Sequence, residues 1–336
     1  MAKTSNKKRI LTGDRPTGRL HLGHYVGSLE NRVKLQYQYE CFFIISDYEF
    51  LTDHLTKTKE LEKNIKGLVL DYLSVGIDPK KSTTFIESKI PQIAELMLLF
   101  SMFVSLPRVK RNPTIKEEIK SRGISRASYG FIGWPIAQAA DILCVRADLV
   151  PVGEDQLSHI EQTREIARDF NRLFGRIFPI PEALAGKAAR LPGIDGRKMS
   201  KSFNNAIFLS DSQKEVNEKI NRTITDPKRV HSFDKGHPEV CNIFQYYKAF
   251  ANKDIGEIEE QCQKGKIGCV ACKKRIAKAI NEFLEPIQEK RNYYSKQKNI
   301  IKDVLNVGNK KTEKEAAQTL ELVKQKMRLD YKSILH

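Results

Sequence analysis

The sequence predicts an α/β protein: a parallel sheet with helices on both faces, followed by a C-terminal all-α helical domain. Three observations predict it. Short apolar runs in the first half are separated by segments of helical period, a Gly- and Lys-rich loop follows Leu191, and beyond Asp211 the period stays helical to the end. In order, Arg9 to Gly13 (RILTG) reads as a buried strand that runs into the turn Asp14 to Gly18, with a helix opening near His21. Cys41 to Asp47 (CFFIISD) is a second strand, and Lys57 to Val75 has helical spacing. Thr83 to Glu87 is a third strand, with a helix directly after Pro91. Trp134 to Arg146 reads as a helix rich in small residues, Leu149 to Gly153 as a loop, and Glu154 to Asn171 as a helix whose acidic start suits its dipole. The domain boundary falls near 205, dividing the chain into 1–205 and 206–336.

The chain has 336 residues, of which 40% are hydrophobic, enough for a sizeable core in two domains. A disulfide miniprotein and a disordered tail are excluded. The longest apolar run, near Leu96 to Leu106, is far below the roughly 20 residues that cross a bilayer, so no membrane span is expected. The basic start lacks the apolar stretch of a signal peptide, which predicts a cytoplasmic chain with reduced thiols. Lys+Arg number 58 against 41 Asp+Glu, a net charge of +17, and residues 201–336 hold 27 of the former and 18 of the latter. A surface of this kind suits a polyanion such as RNA, although many soluble proteins are basic without one.

Two motifs carry chemistry. His21-Leu22-Gly23-His24 stands after strand RILTG and turn DRPTG, where a helix opens at the carboxyl edge of the sheet. Free N–H groups and the positive end of the helix dipole point into that crevice, and Gly23 lets a phosphate approach the backbone. An H-x-G-H pattern occurs by chance in about 4% of chains this long, so by itself it only suggests a Rossmann-like, nucleotide-binding first domain. Lys198-Met199-Ser200-Lys201-Ser202 is the second motif, and five fixed letters occur by chance in about one chain in 10,000. Two lysines three apart on a loop can hold a polyphosphate whose oxygens gain charge during displacement.

A third constellation reads as a pocket for a ring. Gln138 and Asp141 lie three apart on a helix and face one side, among Ala137, Ala139, Ala140 and Ile142. A carboxylate there accepts a hydrogen bond from an indole N–H or a phenol O–H, and rejects substrates that lack the donor. Six cysteines occur. Cys41 and Cys144 sit in apolar runs as inert core residues, whereas Cys241, Cys262, Cys269 and Cys272 fall close together, with a C-x-x-C hook at 269–272. In a reducing compartment a four-thiolate metal site is the better reading than two disulfides, with zinc and an iron–sulfur cluster both open.

The two motifs, in this order, resemble the HIGH and KMSKS signatures of class I aminoacyl-tRNA synthetases, with Leu for Ile in the first. Within that class the closest resemblance is to bacterial tryptophanyl-tRNA synthetases, through PTGRLHLGHYVGSLEN, YGFIGWPIAQAADIL, VPVGEDQLSHIEQTREIARDFN and KMSKS. It covers most of the chain. The tyrosyl enzymes share the fold and are the alternative, since Trp134-x3-Gln138-x2-Asp141 is similar to a pattern of theirs with Trp in place of Tyr.

The resemblance implies L-tryptophan, ATP with Mg²⁺, and tRNA(Trp) as substrates, and a homodimer bridged by tRNA, with a dimerisation insertion within 1–205 and anticodon binding within 206–336. It implies His21, His24, Lys198 and Lys201 as catalytic residues. The ATP site would comprise Arg15, Thr17, Gly23, His24, Lys198, Met199, Ser200 and Lys201. The tryptophan site would comprise Asp141 on the indole N–H, Gln138, Gln156 at the ammonium or carboxylate side, and Val150 and Val152 against the ring. Some tryptophanyl enzymes carry a 4Fe-4S cluster on a cysteine pattern that differs from this one only in a first gap two residues longer. That favours 4Fe-4S at Cys241, Cys262, Cys269 and Cys272, with zinc, or thiols that bind nothing, as the alternatives. Lys110, Arg111 and Lys116 read equally as triphosphate contacts or a solvated loop. Glu49 has no assigned role, and His159 reads as structural or surface. A small-molecule nucleotidyltransferase would lack KMSKS, and a silent RNA-binding paralogue would have lost signature His or Lys residues.

Overall fold

The computed structural model describes residues 7–121, 123–153, 156–185, 191–331 and 334. Its centre is a five-stranded, all-parallel sheet in the order β3-β2-β1-β4-β5. The strands are β1 (Arg9–Asp14), β2 (Glu40–Ile45), β3 (Ser82–Ile86), β4 (Leu149–Val152) and β5 (Glu182–Ala185). The first three match the expected strands to within two residues. The last two correct the sequence reading: Leu149 to Gly153 was expected as a loop, and the segment containing Glu182–Ala185 carried no strand signal.

Helices join the strands. α1 (Leu22–His24) passes through a π-turn at Tyr25–Leu29 into α2 (Glu30–Leu35). α3 (Asp47–His54) and α4 (Leu61–Val75) follow β2, and α5 (Pro91–Ser101), α6 (Leu106–Lys110), α7 (Pro113–Ser121), α8 (Tyr129–Ile132) and α9 (Trp134–Cys144) follow β3. α10 (Leu157–Phe174) lies between β4 and β5. The expected start of that helix, Glu154, lies outside the described residues. The remaining helices are α11 (Gln213–Arg222), α12 (Asn242–Phe250), α13 (Ile255–Gln263), α14 (Cys269–Ser295) and α15 (Ile300–Lys326).

Strand alternation decides the layers. Cys41, Phe43 and Ile45 of β2 point into a core shared with α4, α12 and α14, whereas Phe42 and Ile44 point into one shared with α5, α9, α10 and α15. The C-terminal helices therefore pack back on the sheet. At Gly308 an added Cβ would lie 1.8 Å from Thr84 O, and the next residue, Asn309, accepts the Ile86 N–H at 2.9 Å through Oδ1. That closes the β3 edge, whose donors would otherwise be unpaired. Among the described residues no helix is long and apolar enough to cross a membrane.

The same sheet creates a crevice. β1 pairs with β2 over six positions, from Arg9↔Glu40 to Asp14↔Ile45, but meets β4 at the single pair Ile10↔Leu149. Beyond it the strands part, bridged by Thr12 Oγ1 donating to Pro151 O at 3.2 Å. Strand order reverses at this point, the place where open parallel sheets receive ligands at their carboxyl ends.

Candidate active site

The turn after β1 leaves through Gly18, at φ +109°, and delivers His21 to the start of α1. The His21 N–H donates to His24 Nδ1 at 3.2 Å, and the two rings lie 3.7 Å apart. Because Nδ1 accepts, a neutral His24 carries its proton on Nε2. Gly23 is hemmed in: a Cβ there would sit 3.0 Å from the His21 ring and 3.5 Å from Met199 Cβ. The residue type thus allows the second motif to close onto the first.

That closure is seen in full. The Gly23 N–H points at Met199 Sδ at 3.4 Å, and Lys201 Nζ donates to Thr17 Oγ1 and Gly18 O, each at 2.9 Å. The chain leaving the loop pairs with the segment before α1, through Leu22 N to Ile207 O at 2.9 Å and Leu209 N to Leu20 O at 3.0 Å. Asn205 fixes the loop from within. Its Oδ1 accepts from Ser200 N at 2.8 Å while Nδ2 donates to Asp195 Oδ1 and Lys198 O. Met199 is buried, and the side chain of Lys198 is exposed.

Burial and crowded cations set the charges. Burial, with help from His24 and the two lysines, lowers His21 to about 2. His24 falls to about 4 for the same first reason, against the pull of Asp14. Lys201 falls to about 8 through burial, which outweighs the attraction of Asp14 and Asp71. Asp14 is half-buried yet held at about 2, because the Arg32 guanidinium beside it donates Nη1–H to its Oδ2 at 2.6 Å and Tyr72 Oη donates to the same oxygen at 2.6 Å.

A cavity of about 430 Å³ opens where β1 and β4 part, within the range of small-molecule sites. Its wall brings together, of the expected residues, Arg15, Thr17, His24, Gln138, Asp141, Val150, Val152 and Gln156. The others, His21, Gly23, Lys198, Met199, Ser200 and Lys201, stand beside it at the junction of the two motifs. At the floor, Asp141 is 2% exposed, and neither its Oδ1 nor Gln138 Oε1 meets a donor. Burial, then the charges of Glu49 and Asp47, raise the Asp141 carboxyl well above its usual range.

The wall also holds residues the sequence reading left without a role: Asn31, Ser46, Glu49 and Trp134. Ser46 and Glu49 follow the end of β2, a position that parallel-sheet topology marks as ligand-facing. Lys110, Arg111 and Lys116 are exposed on α6, α7 and their junction, away from the wall. His159 is buried beside Asn112 and serves structure. Asp155, beside Gln156, lies outside the described residues.

The four cysteines expected as a metal site, Cys241, Cys262, Cys269 and Cys272, lie close enough for their charges to act on one another. All six cysteines are free thiols, and among the described residues no three His, Cys, Asp or Glu are grouped so as to hold a metal ion. Cys262 Sγ instead receives Arg229 Nη1 at 3.6 Å, while Cys241 and Cys272 pack against the hydrophobic core.

A parallel nucleotide-binding sheet, with the KMSKS loop laid on the HLGH turn at its switch point, defines the class I aminoacyl-tRNA synthetases. The family model "tRNA synthetases class I (W and Y)" matches residues 3–285, and the chain belongs to that family. It is similar to a tryptophan–tRNA ligase of Thermotoga maritima, 47% identical over 96% of this chain and 99% of that protein. One of Aquifex aeolicus is 39% identical over 96% of this chain and all of its own. The crystal structure of a tryptophanyl-tRNA synthetase from Campylobacter jejuni, complexed with ADP and tryptophan, matches with a TM-score of 0.85 and 32% identity, over 95% of this chain and 99% of that one.

Proposed function

We propose that this chain is an ATP-dependent tryptophan–tRNA ligase, which forms tryptophanyl-adenylate and passes tryptophan to the 3′ end of tRNA(Trp). The observation that carries the reading is a buried acid, Asp141, whose orphaned Oδ1 opens into the same cleft as His24 and Thr17. An indole N–H supplies the missing donor. The relatives at 39% and 47% identity are tryptophan enzymes, which favours tryptophan over the tyrosine alternative.

The chemistry needs no general base. The substrate carboxylate, ionised at neutral pH, attacks the α-phosphorus of ATP, which enters as its magnesium complex, and pyrophosphate leaves. A ribose hydroxyl of tRNA then attacks the carbonyl carbon, and AMP leaves. In this reading Arg15, Thr17, Gly23 and the helix start receive ATP. His24 offers Nε2–H to a phosphate oxygen, with His21 holding its ring. Lys198 and Lys201, with Met199 and Ser200 shaping the loop, draw off the pyrophosphate. Asp141 and Gln138 hold the indole, Val150 and Val152 wall it, and Gln156 orients the α-carbon end. Residues 206–336 are proposed to take the anticodon. Exposed Leu98, Met102 and Leu106 on one edge favour pairing of two copies, to be checked by light scattering in solution.

The test is exchange of labelled pyrophosphate into ATP with each of the twenty amino acids in turn. Tryptophan alone should support it; exchange driven by tyrosine would replace this reading with its alternative.

A further inference from the structure

Resting on the tryptophan-activating reading, we propose that Asn205 is a positioning residue, which places Lys198 for the departing pyrophosphate while Lys201 is placed independently of it. Asn205 lies three residues past the KMSKS motif and is 1% exposed. Both polar atoms of its side chain turn back onto the loop it follows. Oδ1 accepts the Ser200 N–H at 2.8 Å, and Nδ2 donates to Asp195 Oδ1 at 2.7 Å and to Lys198 O at 3.1 Å. Only an amide in this orientation satisfies all three neighbours, because one is a donor and two are acceptors. The loop is shaped to admit it. Gly193 N donates to Arg197 O at 2.7 Å and Gly196 N to Gly193 O at 3.0 Å, which folds 193–197 into a tight turn with Gly196 at φ +82°. A Cβ on Gly193 would lie 2.2 Å from Asn205 Nδ2, so glycine alone leaves room for the amide. Asn205 O accepts the Ile194 N–H at 3.0 Å and closes the turn from its other side.

The two lysines are held in different ways. Lys201 is fixed through its own ammonium, which donates to Thr17 Oγ1 and Gly18 O. Lys198 has an exposed side chain and is fixed through its backbone, which bridges antiparallel to Pro192 and accepts from Asn205 Nδ2. Its charge still acts on both His21 and His24, so its ammonium belongs to the phosphate end of the site. A flexible four-carbon stem samples many rotamers, and where its end can reach is decided by where its Cα is held. Asn205 does not line the cleft, so it acts on the chemistry only through the lysine it holds.

Single-turnover formation of the adenylate, from tryptophan and ATP labelled at the α-phosphate, separates this role from a structural one. Asn205→Ala should slow that step roughly tenfold, with the Kd for tryptophan from equilibrium dialysis unchanged. In a Lys198→Ala background the same substitution should lose less than about twofold, whereas in a Lys201→Ala background the full loss should remain, because a residue acting through one lysine is coupled to that lysine alone. Asp195→Ala is the control for loop closure. It removes the other Nδ2 bond and leaves the one to Lys198 O, so it should lower the melting temperature yet keep the rate within about twofold. Asn205→Ser retains a hydroxyl for Ser200 but is too short for Lys198 O, and it should repeat the tenfold loss if the alanine variant does not fold. No loss on replacing Asn205, equal losses in the two lysine backgrounds, a loss in Asp195→Ala as large as in Asn205→Ala, or a weakened Kd for tryptophan would each overturn the role of Asn205 while leaving the tryptophan reading intact. Absence of tryptophan-dependent adenylate in the unaltered chain would overturn both.

Discussion

At the scale of single residues, the two motifs differ in how they hold charge. Lys201 is useful to a departing pyrophosphate only as a cation, and burial has brought its ammonium down to about 8. A lowered lysine loses its charge as pH rises through that value, so kcat/KM for ATP should fall on the alkaline side of about 8. Lys201→Arg should remove that limb, because a guanidinium stays charged. A profile flat across the alkaline range in the unaltered chain would contradict it. His24, held at about 4, is neutral at all ordinary working pH and should add no limb near the usual histidine value. Lys201→Ala should slow adenylate formation far more than it weakens tryptophan binding. Asp141→Ala should do the reverse, lowering kcat/KM for tryptophan about ten- to hundredfold with the KM for ATP unchanged. These residues were legible in the sequence because their letters are rare and ordered. Ser46 and Glu49 were not, since their place on the cleft wall comes only from standing just past a strand end at the switch point.

At the scale of elements, legibility followed apolar content. RILTG, CFFIISD and the run before Pro91 announce buried parallel strands, and each was found. β4 carries Pro151 and is four residues long, so its pattern reads as loop; it is a strand because β5 pairs with it at four positions and Thr12 bonds Pro151 O. Glu182–Ala185 has no β-forming residue at all, and tertiary pairing alone makes it a strand. The cysteine spacing did bring Cys241, Cys262, Cys269 and Cys272 into one neighbourhood, but it could not show that Arg229 donates to Cys262 Sγ. Burial raises Cys241 and Cys262 and brings Cys272 to about 11. Raised thiols hold little thiolate at neutral pH, so all three should alkylate slowly with iodoacetamide in the folded chain, at rates unaffected by chelators. Faster alkylation after chelation would restore a bound metal. Gly308 offers a test of packing. Gly308→Val places side chain where Thr84 O lies and should cost about 1–3 kcal/mol in denaturant unfolding, as overpacking does. Retention of full stability would show that α15 does not lie so close to β3.

At the scale of the whole molecule, the C-terminal helices reach the nucleotide turn through one buried acid. Asp71 on α4 accepts Arg291 Nε of α14 at 2.8 Å through Oδ1, and the Leu20 N–H at 3.0 Å through Oδ2. Leu20 immediately precedes His21, so a residue from 206–336 helps fix where the first motif begins. Arg291→Met keeps the length of the side chain and removes its charge, leaving Asp71 buried without that cation. Loss of one partner from a buried pair is strongly destabilising, and since Arg291 is partly exposed a cost of about 2 kcal/mol is expected. The pH dependence has a definite sign. Burial already raises Asp71, and without Arg291 its carboxyl rises further. A carboxyl raised in the folded state favours folding when protonated and loses that advantage as pH climbs through its folded value. The deficit of Arg291→Met should therefore be largest at neutral pH and shrink toward acidic pH. Because the same acid anchors Leu20, the KM for ATP should rise in this variant while the KM for tryptophan holds. A stability loss that is independent of pH, or one that leaves the KM for ATP untouched, would uncouple the C-terminal helices from the nucleotide turn.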